Sequence, residues 1–171
     1  KQGNANRYAL LLYKQLQASG QVELANALLA HTIESLELET TDETDKNRFA
    51  AQNMLAYAWK LKYEAIKATS PQEALACLSK AADFSPKNPS EMVHGSYYDR
   101  ALLDSKESYR ADFAQALIAT GDKKQALKTL AEQVQADPTI VGELKKSFET
   151  NFPRKDFGDF FNKVITHSWN T

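Results

Sequence analysis

Residues that could bind a metal ion are few in this sequence, and their spacing does not suit metal binding. Glu91 and His94 have the Glu-x-x-His spacing of carboxylate-bridged metal sites, but that chemistry needs the motif twice together with two further glutamates, and it occurs once. The other two histidines, His31 and His167, have no second histidine or cysteine at ligand spacing. The sequence therefore predicts no metal site.

Patterns typical of catalysis occur only in isolation. The triplet Asp156-Phe157-Gly158 matches the metal-binding triplet of protein kinases, but no glycine-rich loop or catalytic-loop pattern accompanies it. The acidic residues around Asp42 lack the ligand order, central glycine and distal glutamate of a calcium loop. The chain is therefore predicted not to be an enzyme and to need no cofactor. A pair of carboxylates brought together only by the fold is the alternative.

Composition and charge narrow the classes of partner. The 171 residues are 43% hydrophobic and 25% charged, which is typical of one globular domain spanning 1–171. Lysine and arginine total 21 against 22 acidic residues, so no strong overall field attracts nucleic acid or an anionic membrane. The only cysteine, Cys77, lies in an apolar stretch, and we expect a buried and inert thiol. Because the sequence starts at Lys1, we expect a fragment or processed chain of a longer protein, either cytoplasmic or from a bacterial envelope.

Turn and capping residues predict where the helices lie. Apolar residues at helical spacing predict a first helix over 4–18, ended by Gly20, and a second over 21–36. The acidic, threonine-rich stretch 40–47 is predicted to be a loop. A third helix is expected over 48–68, which contains no glycine or proline.

The later helices begin at capping signals. Ser70-Pro71-Gln72-Glu73 has the form of a capping box, and Asp122 is placed to cap another helix. The remaining helices are predicted over 71–84, 96–120, 123–136, 140–149 and 157–169. The sequence therefore predicts an all-α protein of about eight helices.

Three of the predicted corners share one register of small and apolar residues. A turn residue, a small residue five positions later and apolar residues at the next helical spacings describe two helices joined by a tight corner. The three sets are Gly20, Ala25, Leu29 and Ile33; Thr69, Ala74, Leu78 and Ala82; and Gly121, Ala126, Leu130 and Val134.

This register resembles the tetratricopeptide repeat family, whose 34-residue repeat has a small residue early in its second helix and a proline at its end. The second and third sets have that proline at Pro86 and Pro138. Three such repeats would span 6–39, 55–88 and 107–140. Insertions separate them, and Lys62 and Arg110 depart from the family pattern. The resemblance implies an irregular helical array in a single domain.

The resemblance also implies a function, because the first helix of each repeat in that family lines a concave, partner-binding face. It predicts a protein-interaction scaffold that binds a peptide or protein. The residues carried over to that face are Arg7, Lys14, Trp59, Tyr63, Ile66 and Gln115. Trp59 and Tyr63 lie at i and i+4 and would supply a large contact area with polar tips. Packing against a neighbouring helix is the alternative for this pair.

A second candidate surface lies near the C-terminus, where apolar residues recur at helical spacing after Pro153. The aromatic members of this stripe are Phe157, Phe160, Phe161 and Trp169. One interpretation is a capping helix that covers the last face of the array. The other is a docking face for a second copy of the chain or for an attached domain. The segment resembles helical stretches that precede thioredoxin-like domains in bacterial envelope proteins, which implies an accessory or dimerisation domain as the alternative function.

Overall fold

The computed structural model describes residues 2–44, 48–86, 108–120, 122–136 and 162. These residues form helices and short connections with no β-strand among them, which confirms the all-α class. The helices are α1 (Gln2–Ala18), α2 (Val22–Thr40), α3 (Arg48–Ile66), α4 (Pro71–Phe84), α5 (Arg110–Ala119) and α6 (Lys123–Ala136). None of these helices is both long enough and apolar enough to cross a bilayer. The predicted helices over 140–149 and 157–169 lie outside the described residues.

The chain divides into two compact units, Lys1–Tyr109 and Arg110–Thr171. Helices α1 to α4 belong to the N-terminal unit, and α5 and α6 pack together in the C-terminal unit. The expectation of one domain over the whole chain stays a prediction.

Helix α3 is the centre of the N-terminal unit. Neighbouring helices pack in chain order, α1 on α2, α2 on α3 and α3 on α4, and α1 makes a smaller contact with α3. Six consecutive residues of α3, Met54–Trp59, are all buried. A helix buried on every side must be surrounded by other elements, so α3 anchors the core. The largest fully buried apolar side chains, each from a different helix of this unit, are Leu10, Leu36, Leu55 and Leu78.

Gly20 ends α1 in a Schellman motif, as its position in the sequence predicts. Its φ is +82°, in the left-handed region where a side chain is strained. The Gly20 N–H donates to the carbonyl of Gln17 at 3.1 Å, and the Gln21 N–H donates to that of Leu16 at 2.9 Å. These two bonds satisfy carbonyls that the end of a helix leaves open, and they turn the chain into α2.

We expect Gly20→Ala to lower the free energy of unfolding by about 1 kcal/mol, because a Cβ strains the left-handed conformation. No atom lies within 4 Å of the position where that Cβ would be, so the cost is one of backbone conformation alone. Urea denaturation measures the change. Gly20→Asn should cost less, because asparagine tolerates this conformation better. Equal stability of the alanine variant and the wild type would contradict the assignment.

The three predicted corners share a hydrogen-bond pattern. In each, the small alanine donates its N–H to the carbonyl four residues earlier: Ala25 to Gln21 at 3.0 Å, Ala74 to Ser70 at 2.9 Å and Ala126 to Asp122 at 3.2 Å. The first and third corners also share a bond spanning five residues, since the Asp122 N–H donates to Leu117 at 3.0 Å as that of Gln21 does to Leu16. The three alanines are at most 1% exposed. The sequence register therefore corresponds to three buried alanines at equivalent positions in a helix start, while the five-residue bond occurs in the first and third corners only.

The capping predictions have mixed outcomes. The carboxylate of Asp122 accepts from the Gln125 N–H at 3.1 Å, which confirms the cap of α6. Helix α4 begins at Pro71 as predicted, but Ser70 forms no side-chain cap, so the capping box is wrong there. Proline at the first position, whose ring already fixes a helical φ, suffices to start the helix.

The predicted helix over 96–120 is wrong at its start, because Ser108 and Tyr109 are not helical and α5 begins at Arg110. The backbone N–H of Tyr109 donates to the hydroxyl of Ser85 at 2.9 Å, and that hydroxyl donates to the Ala81 carbonyl at 2.8 Å. This link across 24 residues holds the chain just before α5. Both partners are buried, and no local pattern in the sequence indicates their meeting.

The connection after α2 is shorter than predicted, because α2 continues to Thr40 instead of ending at residue 36. The hydroxyls of Thr40 and Thr41 donate back to carbonyls in the last turn at 2.8 and 2.7 Å and so extend the helix end. Beyond it, the carboxylate of Asp42 accepts from the hydroxyl and N–H of Thr44, and these bonds lower the pKa of Asp42. Helix α3 ends at Ile66, two residues before its predicted end.

Candidate functional site

The two aromatic residues predicted to bind a partner differ in exposure. Trp59 is only 6% exposed and belongs to the core of the N-terminal unit. Tyr63, one turn later on α3, and Ile66, near its end, are half-buried. Helix α3 therefore passes from the interior to the surface between Trp59 and Tyr63. A ligand on the surface can therefore contact Tyr63 directly, while the indole of Trp59 is covered by surrounding side chains.

Four lysines surround these two rings. Lys62 and Lys80 place their ammonium groups 5.4 and 4.2 Å from the centre of the Trp59 ring. Lys60 and Lys67 place theirs 5.1 and 5.7 Å from the centre of the Tyr63 ring. Distances within about 6 Å allow cation–π attraction. We call the set formed by Trp59, Tyr63, Lys60, Lys62, Lys67 and Lys80 the basic-aromatic cluster.

The Tyr63 half of the cluster contains its own counter-ion. The carboxylate of Glu64 pairs with Lys60 at 3.1 Å and with Lys67 at 2.6 Å. Partial burial by itself raises the pKa of Glu64, but the hydrogen bonds from Lys67 and Lys60 outweigh it, and the pKa lies below its usual value. The hydrogen bond to Glu64 correspondingly raises the pKa of Lys67. In the Tyr63 half, the carboxylate of Glu64 therefore pairs with both lysines that lie beside the ring.

The Trp59 half contains no such carboxylate. Within the described part of the chain, neither Lys62 nor Lys80 forms a salt bridge. Burial raises the pKa of the Cys77 thiol and the charge of Glu73 acts in the same direction, while the charges of Lys62 and Lys80 act in the opposite direction. The thiol therefore lies within electrostatic reach of both ammonium groups and stays protonated where a free cysteine ionises. The predicted burial of Cys77 is confirmed.

The indole nitrogen of Trp59 adds an unusual feature to this half. Its N–H is fully buried and has no hydrogen-bond acceptor among the residues that the structure describes. Buried polar groups in proteins are nearly always paired, and one that is not requires a functional or structural reason. The Trp59 half therefore offers two unpaired cations and one unpaired donor around a single aromatic ring.

The other predicted partner-binding residues lie on other helices. Arg7 and Lys14 are half-buried on α1, where the guanidinium of Arg7 lies 5.6 Å from the centre of the Tyr8 ring. Gln115 is half-buried on α5, in the C-terminal unit. The structure thus brings Trp59, Tyr63 and Ile66 together on one helix. The docking face predicted from Phe157, Phe160, Phe161 and Trp169 lies outside the described residues.

The lysines of the cluster were not among the predicted site residues, although the spacing of two of them in the sequence places them beside the aromatic rings. Lys62 follows Trp59 by three residues, and Lys67 follows Tyr63 by four, so helical spacing alone places each lysine beside its ring. Lys80 lies on α4, and its approach to Trp59 depends on the packing of α3 against α4. Only the tertiary structure reveals that two lysines share the indole.

Among the residues that the structure describes, no three histidine, cysteine, aspartate or glutamate side chains are grouped closely enough to hold a metal ion. The comparisons with known proteins add no relative, since no family model, no curated protein and no solved structure matches this chain.

Proposed function

We propose that this chain is a non-enzymatic protein-interaction scaffold, built from helical repeats like those of the tetratricopeptide repeat family, that binds a peptide or protein segment. The observation that carries the proposal is the shared geometry of the three corners. Ala25, Ala74 and Ala126 make the same backbone hydrogen bond and are all buried. Repeated pairs of helices joined in this way build extended surfaces that suit the binding of other chains.

The surface proposed for binding is the half-buried end of α3 together with Arg7 and Lys14 of α1. Tyr63 supports this assignment, because a tyrosine combines a large rigid contact area with a polar tip and is enriched at binding hot spots. Lys60 and Lys67, which pair with Glu64, place charged groups next to this ring. Polar and charged groups around an aromatic anchor form the usual rim of such a contact.

Selection from a displayed random-peptide library on the full chain, followed by calorimetric titration of the selected peptides, tests the proposal. We expect peptides that bind saturably, and we expect Tyr63→Ala to weaken them about tenfold, since removal of an aromatic anchor costs more than 1 kcal/mol. Thermal unfolding of the variant verifies that its fold is retained.

Leu38→Ala is the control. Leu38 is 73% exposed near the end of α2, which contributes no residue to the proposed surface, so its removal should leave the affinities unchanged. Failure to select any saturable ligand, or equal affinities for the Tyr63→Ala variant and the wild type, would overturn the proposed function.

A further inference from the structure

The Trp59 half of the basic-aromatic cluster, whose lysines form no salt bridge in the described structure, indicates the chemistry of the partner. We propose that Lys62, Lys80 and the indole of Trp59 form a subsite for an aspartate or glutamate carboxylate, so that the segment bound by this protein is acidic. The inference rests on the proposed function and deepens it.

The first support is the convergence of two like charges on one ring. The ammonium groups of Lys62 and Lys80 both lie within 6 Å of the centre of the Trp59 ring, and both affect the Cys77 thiol. Two cations near the same ring repel each other, and an anion close to both relieves that repulsion. The charge of Glu73 on α4 also acts on that thiol, but in the described structure neither Glu73 nor Asp83 forms a salt bridge with either lysine.

The second support comes from the Tyr63 half of the same cluster, which shows the completed arrangement. There the Glu64 carboxylate joins Lys60 and Lys67 beside the ring of Tyr63. The Trp59 half repeats the ring and the two lysines without the acid. A carboxylate from a partner would complete the second half as Glu64 completes the first, with charge-assisted hydrogen bonds to both ammonium groups.

The third support is the indole N–H of Trp59, a buried donor that finds no acceptor in the described part of the chain, on a residue that is only 6% exposed. A carboxylate has two oxygens and about four acceptor positions, so it has capacity for this donor as well as for the lysines. Because the nitrogen is covered, side chains near it must move as the ligand enters. Within the described ranges, Lys62 and Lys80 form no ion pair that would hold their side chains in place.

A protein carboxylate fits this subsite better than a free inorganic anion. The half-buried Tyr63 and Ile66 follow Trp59 along α3 and provide apolar area for residues that flank an acidic side chain. Free phosphate would gain nothing from that area.

The test uses the full chain carrying Trp169→Phe, which leaves Trp59 as the single tryptophan, and an N-acetylated hexaglutamate peptide as the probe. We expect saturable binding that shifts the Trp59 indole N–H resonance. Lys62→Gln with Lys80→Gln should weaken binding at least tenfold, and the charge-retaining pair Lys62→Arg with Lys80→Arg should keep most of it. Affinity should fall as salt rises, because the contact is between opposite charges.

The matched control is Lys124→Gln with Lys128→Gln, which removes the same charge from exposed positions on α6 and should leave the affinity unchanged. Equal affinities of the wild type and the Lys62→Gln, Lys80→Gln variant would overturn the inference. So would equal binding of hexalysine, or displacement of hexaglutamate by an equal concentration of inorganic phosphate. If Tyr63→Ala still weakens the library-selected peptides in those cases, only the carboxylate subsite is contradicted and the proposed function is retained.

Discussion

Leu55→Ala is expected to lower the free energy of unfolding of the N-terminal unit by about 3 kcal/mol, because it opens a cavity in the helix that every other helix of that unit contacts. Leu55 is completely buried and lies in the run of α3 that is buried on all sides. Surrounded on every side, the site has little room to collapse around the missing atoms, so most of the cavity should persist and contribute to the cost.

Urea denaturation followed by the fluorescence of Trp59, in the Trp169→Phe background, reports the unfolding of this unit. Leu38→Ala is the control, since Leu38 is 73% exposed near the end of α2 and loses the same atoms without leaving a cavity. The control should change stability by less than about 0.5 kcal/mol. Equal effects of the two substitutions would contradict the central position of α3.

Ala74→Leu is expected to destabilise the protein by about 2 kcal/mol, because it places three additional carbons where α4 packs closely against α3. Ala74 is 1% exposed in the first turn of α4, and its N–H is held by the carbonyl of Ser70. Since that bond fixes the backbone, the helix cannot easily shift to make room. Ala25→Leu should act in the same way on α2, where the corresponding alanine is fully buried.

Ala76→Leu serves as the control for the same helix. Ala76 is exposed, and leucine forms helices nearly as well as alanine, so this substitution should be close to neutral. Urea denaturation of the two variants side by side gives the comparison. If both variants were as stable as the wild type, close packing at the buried alanine could not be the basis of the repeated corners.

Much of the helical framework could be predicted from local chemistry. Gly20 marks the left-handed end of α1, Pro71 the first position of α4, and Asp122 the cap of α6, and each acts through atoms within a few residues of itself. The buried alanines of the three corners were also predictable, because their spacing from the turn residues is the same in each corner. Such local signals do not depend on how the helices are arranged.

What the sequence could not provide depends on contacts between distant segments. The start of α5 is one example, since Tyr109 is held by Ser85, 24 residues earlier. The burial of Trp59 is another: helical spacing places Trp59 and Tyr63 on one face of α3, but only the surrounding helices determine which of the two rings is covered. The approach of Lys80 to the indole follows from the same packing.

The order in which the helices of the N-terminal unit pack has a consequence for how quickly the unit forms. Each helix packs mainly against the next one along the chain, so most stabilising contacts join residues separated by short loops. Closing short loops costs little chain entropy, and domains dominated by such contacts fold in microseconds to milliseconds. The end of α3 that we propose to bind an acidic segment would then be complete almost as soon as the chain is released from synthesis, well before a partner arrives by diffusion.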